Sequence, residues 1–206
     1  TSLPTLKRVI SAGAPVPPAI LERMHSLLGP DATVHTPYGA TEALPVSSLD
    51  SLEILGSTAA KTARGAGTCV GKPMEGIDLR IIRIDDGPIS HWSDHLELCT
   101  GEIGEITVTG AVVTRGYHDN PDATALAKIA HGTVTRHRMG DVGYLDDSGR
   151  LWFCGRKAHR VVTTTGTLFT VPCEAIFNQH PRVFRTALVG VGESTGLDEG
   201  GDATAP

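Results

Sequence analysis

The chain has 206 residues, 40% of them hydrophobic and 20% charged, with a net charge of −5; its mass is 21.6 kDa and its mean hydropathy −0.03. That suffices for one ordinary domain or one and a half, burying roughly 70% of the unfolded surface, and it excludes a disordered chain, a charged coiled coil and a collagen-like repeat. The acidic balance does not argue for a nucleic-acid partner, which needs clustered positive charge, no apolar run approaches the ~18 residues of a transmembrane segment, and Thr1-Ser2-Leu3-Pro4 has no signal-peptide anatomy.

In chain order, Leu6–Ala12 reads as a short strand running into Gly13-Ala14-Pro15. Pro17 and Pro18 open a helix, where a missing N–H costs nothing. Ile20, Leu21, Met24, Leu27 and Leu28 fall at helical spacing on one face, and Gly29-Pro30 stops the run. A strand at Thr33–Thr36 leads to the strand-to-loop junction Pro37–Glu42; strand, helix, strand at this spacing is an α/β signature. From about Ser57 the texture becomes β-rich. Leu79–Ile84 and Ile106–Thr109 alternate, and Asp141–Leu145 with Leu151–Cys154 flank the hairpin turn Asp146–Gly149. Asn120 caps and Pro121 starts one interrupting helix, with Leu126 and Ile129 expected to face inward. This block reads as a small antiparallel sheet or barrel.

A third texture begins near Gly155. Arg156–Arg160 reads as a solvated linker, Pro172–Gln179 as a short helix and Thr186–Val191 as a buried strand. The tail from Gly192 to Pro206 reads as a loose end, its acidic residues Asp198 to Asp202 failing the EF-hand spacing. A boundary is expected at residues 155–160. Cys69, Cys99, Cys154 and Cys173 match no zinc spacing and read as buried thiols of a reducing cytoplasm.

Three strings carry chemistry. Tyr38-Gly39-Ala40-Thr41-Glu42 offers a ring, a tight turn, a hydroxyl and a carboxylate; Thr41 and Glu42 suit a hard cation held on substrate phosphates, or form a plain surface turn. Asp141, after Gly140, suits a sugar diol or a local turn. Arg156, in Gly155-Arg156-Lys157, suits an oxyanion or a solvated basic turn. His91 and His95 have metal-ligand spacing but lie in a loop-like stretch, and His159 reads as a solvated linker residue.

Taken together, Gly13-Ala14-Pro15, the 38–42 string, Gly104-Glu105-Ile106 with Gly110 and Gly116-Tyr117, Gly140-Asp141 and Gly155-Arg156-Lys157 resemble, in order and distance, the AMP-forming adenylating superfamily of acyl-CoA synthetases, nonribosomal adenylation domains and luciferases. The resemblance covers residues 3–191. Within it, Arg138–Tyr144, Gly149–Lys157, Arg64–Gly71 and Arg185–Gly192 look like the β-lactone synthetase branch of olefin biosynthesis.

The resemblance implies an α/β fold with a β-rich antiparallel subdomain. Residues 1–157 would be the C-terminal part of a large AMP-binding domain, with the subdomain at about 65–157, and residues 158–206 the hinge and the start of a small mobile domain. It implies ATP and Mg²⁺ as cofactors, with Gly13, Ala14 and Pro15 along the adenine and Tyr38, followed by Gly39, stacked on it. Thr41 would contact the phosphate, Glu42 would bind the metal, Asp141 would hold the ribose hydroxyls and Arg156 would reach the nucleotide; Thr41 and Glu42 are the catalytic candidates. A long-chain 2-alkyl-3-hydroxy fatty acid would be adenylated and closed to a β-lactone, with other olefin-pathway enzymes as partners. Alternatives are an AMP-forming long-chain acyl-CoA ligase and a non-catalytic nucleotide-binding fragment. The family's phosphate loop would lie before Thr1 and its catalytic lysine beyond Gly192, so a fragment is expected. Ala158 replaces the usual hinge Asp or Lys, and the segment up to Gly166 is one residue longer than the family pattern.

Overall fold

The computed structural model describes residues 2–192. Strand β1 (Arg8–Ile10) lies parallel to β2 (Thr33–Ala40) in the register Arg8↔Thr33, Val9↔Val34. Helix α1 (Pro18–His25) makes the crossover, with Pro at its first position and Arg23 and His25 in the last turn, where the helix dipole favours cations. Leu21 is the residue that α1 buries. Ile20 stays exposed, and Leu27, also exposed, falls with Leu28 after the helix has ended, so the apolar face is narrower than the spacing indicates.

Strand β2 does not stop at Thr36. It runs on through Pro37-Tyr38-Gly39-Ala40, turns at Thr41-Glu42 and returns as β3 (Ala43–Asp50). The expected strand-to-loop junction is thus an antiparallel hairpin. Its second strand carries Ser47 fully buried, the hydroxyl donating to the Val70 carbonyl at 2.7 Å. The Asp50 carboxylate caps the next helical run by accepting from the Leu52 and Glu53 amides. That run comprises α2 (Ser51–Glu53), a π-turn at Ile54–Thr58 and α3 (Ala59–Ala63).

The β-rich part follows as β4 (Thr68–Pro73), β5 (Asp78–Ile82), β6 (Gly104–Thr109), helix α4 (Pro121–Ala127), β7 (Lys128–His131), β8 (Val134–Leu145) and β9 (Leu151–Arg156). It is not a separate sheet or barrel. Ser47↔Pro73 and Ser48↔Lys72 join β3 to β4, giving one nine-stranded sheet of order β1-β2-β3-β4-β9-β8-β6-β5, with β7 on β8. The Asp146–Gly149 hairpin and the Asn120 cap, whose side chain accepts from the Ala123 amide, form as expected. Leu126, however, is exposed, and Ile129 is buried on β7 rather than on the helix. The core is Val46, Val70, Leu79, Ile81, Ile106, Val108, Met139 and Leu151.

After β9, a 3₁₀ turn (Lys157–His159), the small hairpin β10 (Val161–Thr163) and β11 (Gly166–Leu168), and helix α5 (Thr170–Phe177) complete the described elements. The expected solvated linker is instead anchored. Lys157 Nζ donates to the Asp85 carbonyl at 2.8 Å and lies 3.2 Å from Glu105 Oε1, while Arg160 pairs with Asp86. Residues 186–191 form no strand among the described residues. The Thr186 and Leu188 amides are satisfied by the Asn178 and Glu174 side chains of the α5 region, and Val189 and Val191 are exposed. Of the cysteines, Cys69 and Cys154 are buried, but Cys173 is half-buried and Cys99 exposed. The tail beyond Gly192, with the Asp198–Asp202 segment, lies outside the described residues.

Candidate functional site

A cavity of about 780 Å³ opens where the loop after β1, the end of β2, the start of β4 and residues of β8 and β9 meet α3 and α5. Gly13, Ala14 and Pro15 line it from the loop after β1, Tyr38 and Gly39 from the end of β2, Asp141 from β8, and Phe153 and Arg156 from β9. Ligand crevices in α/β sheets lie beyond strand ends in this way. Gly39 is required by close approach, since a Cβ there would meet the Ala43 carbonyl oxygen at 2.5 Å. Gly140 adopts φ +65°, a left-handed conformation that costs glycine little, and delivers Asp141 into the cleft.

Asp141 is 5% exposed and is the hub of the polar wall. Its Oδ2 accepts from the Tyr38 hydroxyl at 2.7 Å, and its Oδ1 accepts from Arg156 Nη1 at 2.8 Å. Burial pushes the Asp141 carboxyl up from its ordinary value, opposed by the Tyr38 hydrogen bond and the Arg156 charge. Burial, then Asp141, pushes the Tyr38 phenol well up, so it stays a donor. The Tyr38 ring packs against Phe153 with centroids 5.9 Å apart. The Arg156 side chain remains 56% exposed, leaving part of its fork available to an anion. Apolar groups from the helical segments, including Ile54, Ala59 and Val171, also line the cavity.

The structure therefore brings Gly13, Ala14, Pro15, Tyr38, Gly39, Asp141 and Arg156 to one cleft. Thr41 and Glu42 sit just past it, on the β2–β3 turn, outside the cavity lining. Thr41 is exposed. Glu42 Oε1 accepts from the Tyr117 hydroxyl at 2.7 Å, and that bond holds the Glu42 carboxyl below its ordinary value. No group of three or more His, Cys, Asp or Glu side chains able to hold a metal occurs among the described residues, and His91, His95 and His159 are all exposed. Sequence reasoning missed Phe153 and the Ile54–Ala63 wall, because an apolar residue in a helix or strand carries no mark of facing a cleft. It also missed the surroundings of Glu42: Tyr117, quoted only within a motif, and the buried Lys128 and His137.

His137 is 2% exposed, and its Nδ1 lies 3.1 Å from the Ala127 carbonyl as donor. Burial and the neighbouring Lys128 pull it down to about 4. The unfolded chain takes up this proton near pH 6.5 and the folded chain only near pH 4. Stability should therefore fall as pH drops through that window, by up to about 3 kcal/mol from this group. Urea denaturation at pH 6.5 and 4.5 checks this: the loss should shrink in His137→Phe and would be unchanged there if another group is responsible.

Residues 1–118 match the family described as AMP-binding enzyme. Over 195 residues the chain is 53% identical to an olefin β-lactone synthetase of Stenotrophomonas maltophilia and 51% identical to one of Xanthomonas campestris, in each case over 92% of this chain and 35% of the relative. The chain thus spans about a third of the length of these curated relatives. Its fold is similar, at TM-score 0.69 and 21% identity, to the O-succinylbenzoate coenzyme A synthetase of Bacillus subtilis solved with ATP and magnesium ion, covering 93% of this chain and 35% of that one.

Proposed function

Because this chain belongs to the AMP-binding enzyme family, we propose that its cleft holds the adenosine of ATP and that the whole protein converts a 2-alkyl-3-hydroxy fatty acid to a β-lactone through an acyl-adenylate. One observation carries this reading: Gly13–Pro15, Tyr38 and Asp141, far apart in sequence, share one cleft. The similarity to olefin β-lactone synthetases supports the choice of acid. On the same reading, residues 1–157 end the larger nucleotide-binding domain and 158–206 begin the smaller one. The unpaired cysteines fit a cytoplasmic setting.

In the first step a carboxylate oxygen of the acid attacks the α-phosphorus of ATP, forming the acyl–phosphate bond and expelling pyrophosphate. The chain's residues position and neutralise. The Gly13–Pro15 backbone and the Tyr38 ring bracket the base, Asp141 accepts from the ribose hydroxyls, and the exposed end of Arg156 meets phosphate or ribose oxygens. Magnesium arrives with ATP as part of the substrate and supplies charge neutralisation on the phosphates. Glu42 fits it as a single carboxylate, since Mg²⁺ takes one or two carboxylates and fills its remaining positions with phosphate and water. In the second step the substrate's own 3-hydroxyl attacks the activated carbonyl, loses its proton and expels AMP, closing the four-membered ring. An intramolecular nucleophile held in place gains ~7 kcal/mol or more.

No second substrate has to enter for that closure, so little rotation about the linker is required. Ala158 lies exposed between Lys157 and Arg160, both anchored to the turn at Asp85-Asp86. Ala158→Asp in the whole protein should leave lactone formation within about twofold of the parent; a severe loss with normal folding would contradict a fixed linker. The reaction itself is tested by mass spectrometry of the whole protein with ATP, Mg²⁺ and a 2-alkyl-3-hydroxy acid, with and without coenzyme A. A β-lactone formed without coenzyme A supports the proposal and an acyl thioester supports a ligase. Nucleotide binding without either product would mark a non-catalytic binding protein.

A further inference from the structure

Around Glu42, outside the cleft lining, lies a second layer of contacts that the proposed reaction leaves unexplained. The Glu42 carbonyl oxygen accepts from the Thr114 amide at 2.8 Å, and its Oε1 accepts from the Tyr117 hydroxyl at 2.7 Å, so one loop grips the residue at both backbone and side chain. That loop is secured from behind. The Tyr117 amide donates to Thr124 Oγ1 on α4 at 2.9 Å. Lys128, the first residue of β7, donates from Nζ to Thr114 Oγ1 at 3.1 Å and sits 5.9 Å from the Tyr117 ring centroid. Lys128 is only 8% exposed, unusual for an ammonium that could otherwise reach water. Burying a cation costs several kcal/mol unless its charge is used.

We propose that Tyr117 and Lys128 are positioning residues for the Glu42 carboxylate, which they fix in one rotamer with a single oxygen engaged and the other left for a divalent cation carried by the nucleotide. The inference rests on the nucleotide reading of the cleft. Its physical content is preorganisation. A glutamate on a hairpin turn has three rotatable bonds and loses up to about 2 kcal/mol of side-chain entropy when ordered. Tyr117 imposes that order before the nucleotide arrives. Lys128 holds the loop through Thr114 and faces the Tyr117 ring. Among the described residues, the Tyr117 hydroxyl is the one side-chain donor to the Glu42 carboxylate and it engages Oε1, which fits a carboxylate half held by protein and half reserved for ligand.

The test uses the whole protein and its Tyr117→Phe and Lys128→Met variants. Mn²⁺ binding in the presence of α,β-methylene-ATP, which cannot be cleaved at the α-phosphorus, is followed by electron paramagnetic resonance, and metal-free AMP binding by calorimetry. Each variant is expected to weaken Mn²⁺ binding on the order of five- to tenfold, with AMP affinity unchanged. In ATP–pyrophosphate exchange, each should raise the Mg²⁺ requirement at an unchanged saturating rate. If Lys128→Met melts early, Tyr117→Phe, which removes one oxygen atom, decides alone. Unaltered Mn²⁺ binding, or an equal loss of metal-free AMP affinity as a general weakening of the fold would cause, overturns the inference and leaves the proposed function standing. Failure of the parent to bind AMP or the Mn²⁺–nucleotide complex removes both.

Discussion

Replacing Glu105 with alanine is expected to destabilise the fold by about 3–5 kcal/mol, the usual cost of stranding a buried charge. Glu105 on β6 and Arg138 on β8 have side chains only 1% and 2% exposed, and Arg138 Nη2 lies 2.6 Å from Glu105 Oε2. Lys157 completes the group from the linker. Without Glu105, two cations would face each other with no buried anion. Arg138 keeps its bonds to the Gly87 and Leu126 carbonyls, which places the loss toward the lower end of the range. The double variant Glu105→Leu/Arg138→Met should recover much of the loss, because an apolar pair can replace a buried ion pair of similar volume. Urea unfolding of the parent and both variants at pH 7 decides this. A Glu105→Ala loss below about 1 kcal/mol would show the pair to be solvated, contrary to its burial.

Asp141→Ala in the whole protein should weaken AMP binding by on the order of 10²- to 10⁴-fold, since two hydroxyls would each lose a hydrogen bond to a charged group worth about 1.5–3 kcal/mol. Tyr38→Phe should cost far less, about five- to tenfold, because it removes one support of Asp141 while leaving the ring against Phe153. Calorimetric titration with AMP reads both. Equal losses would assign the binding to the Tyr38 hydroxyl rather than to the carboxylate. An unchanged Asp141→Ala would remove the ribose role.

The parts of the fold legible in the sequence are those governed by local rules. Pro17-Pro18 and Gly29-Pro30 bracket α1, Asn120-Pro121 starts α4, and Asp146–Gly149 turns a hairpin. Strand β3 was hidden because its buried Ser47 is satisfied by a partner strand that no local pattern reveals. The 186–191 run shows the converse: apolar composition alone supplies no pairing strand. For the site, the ordered strings marked the cleft residues, and the backbone brings them together. The neighbours of those strings were not legible, because they are long-range. Glu42 meets Tyr117 across 75 positions, and Lys157 meets Asp85 across 72. A run such as Arg156–Arg160 looks solvated until its distant acceptors are known.

The most direct measurement is a crystal structure of the whole protein with AMP. The account predicts both ribose hydroxyls within about 3 Å of Asp141 and the adenine between Tyr38 and the Gly13–Pro15 backbone. A nucleotide bound elsewhere, or a cleft still empty at saturating AMP, would contradict it.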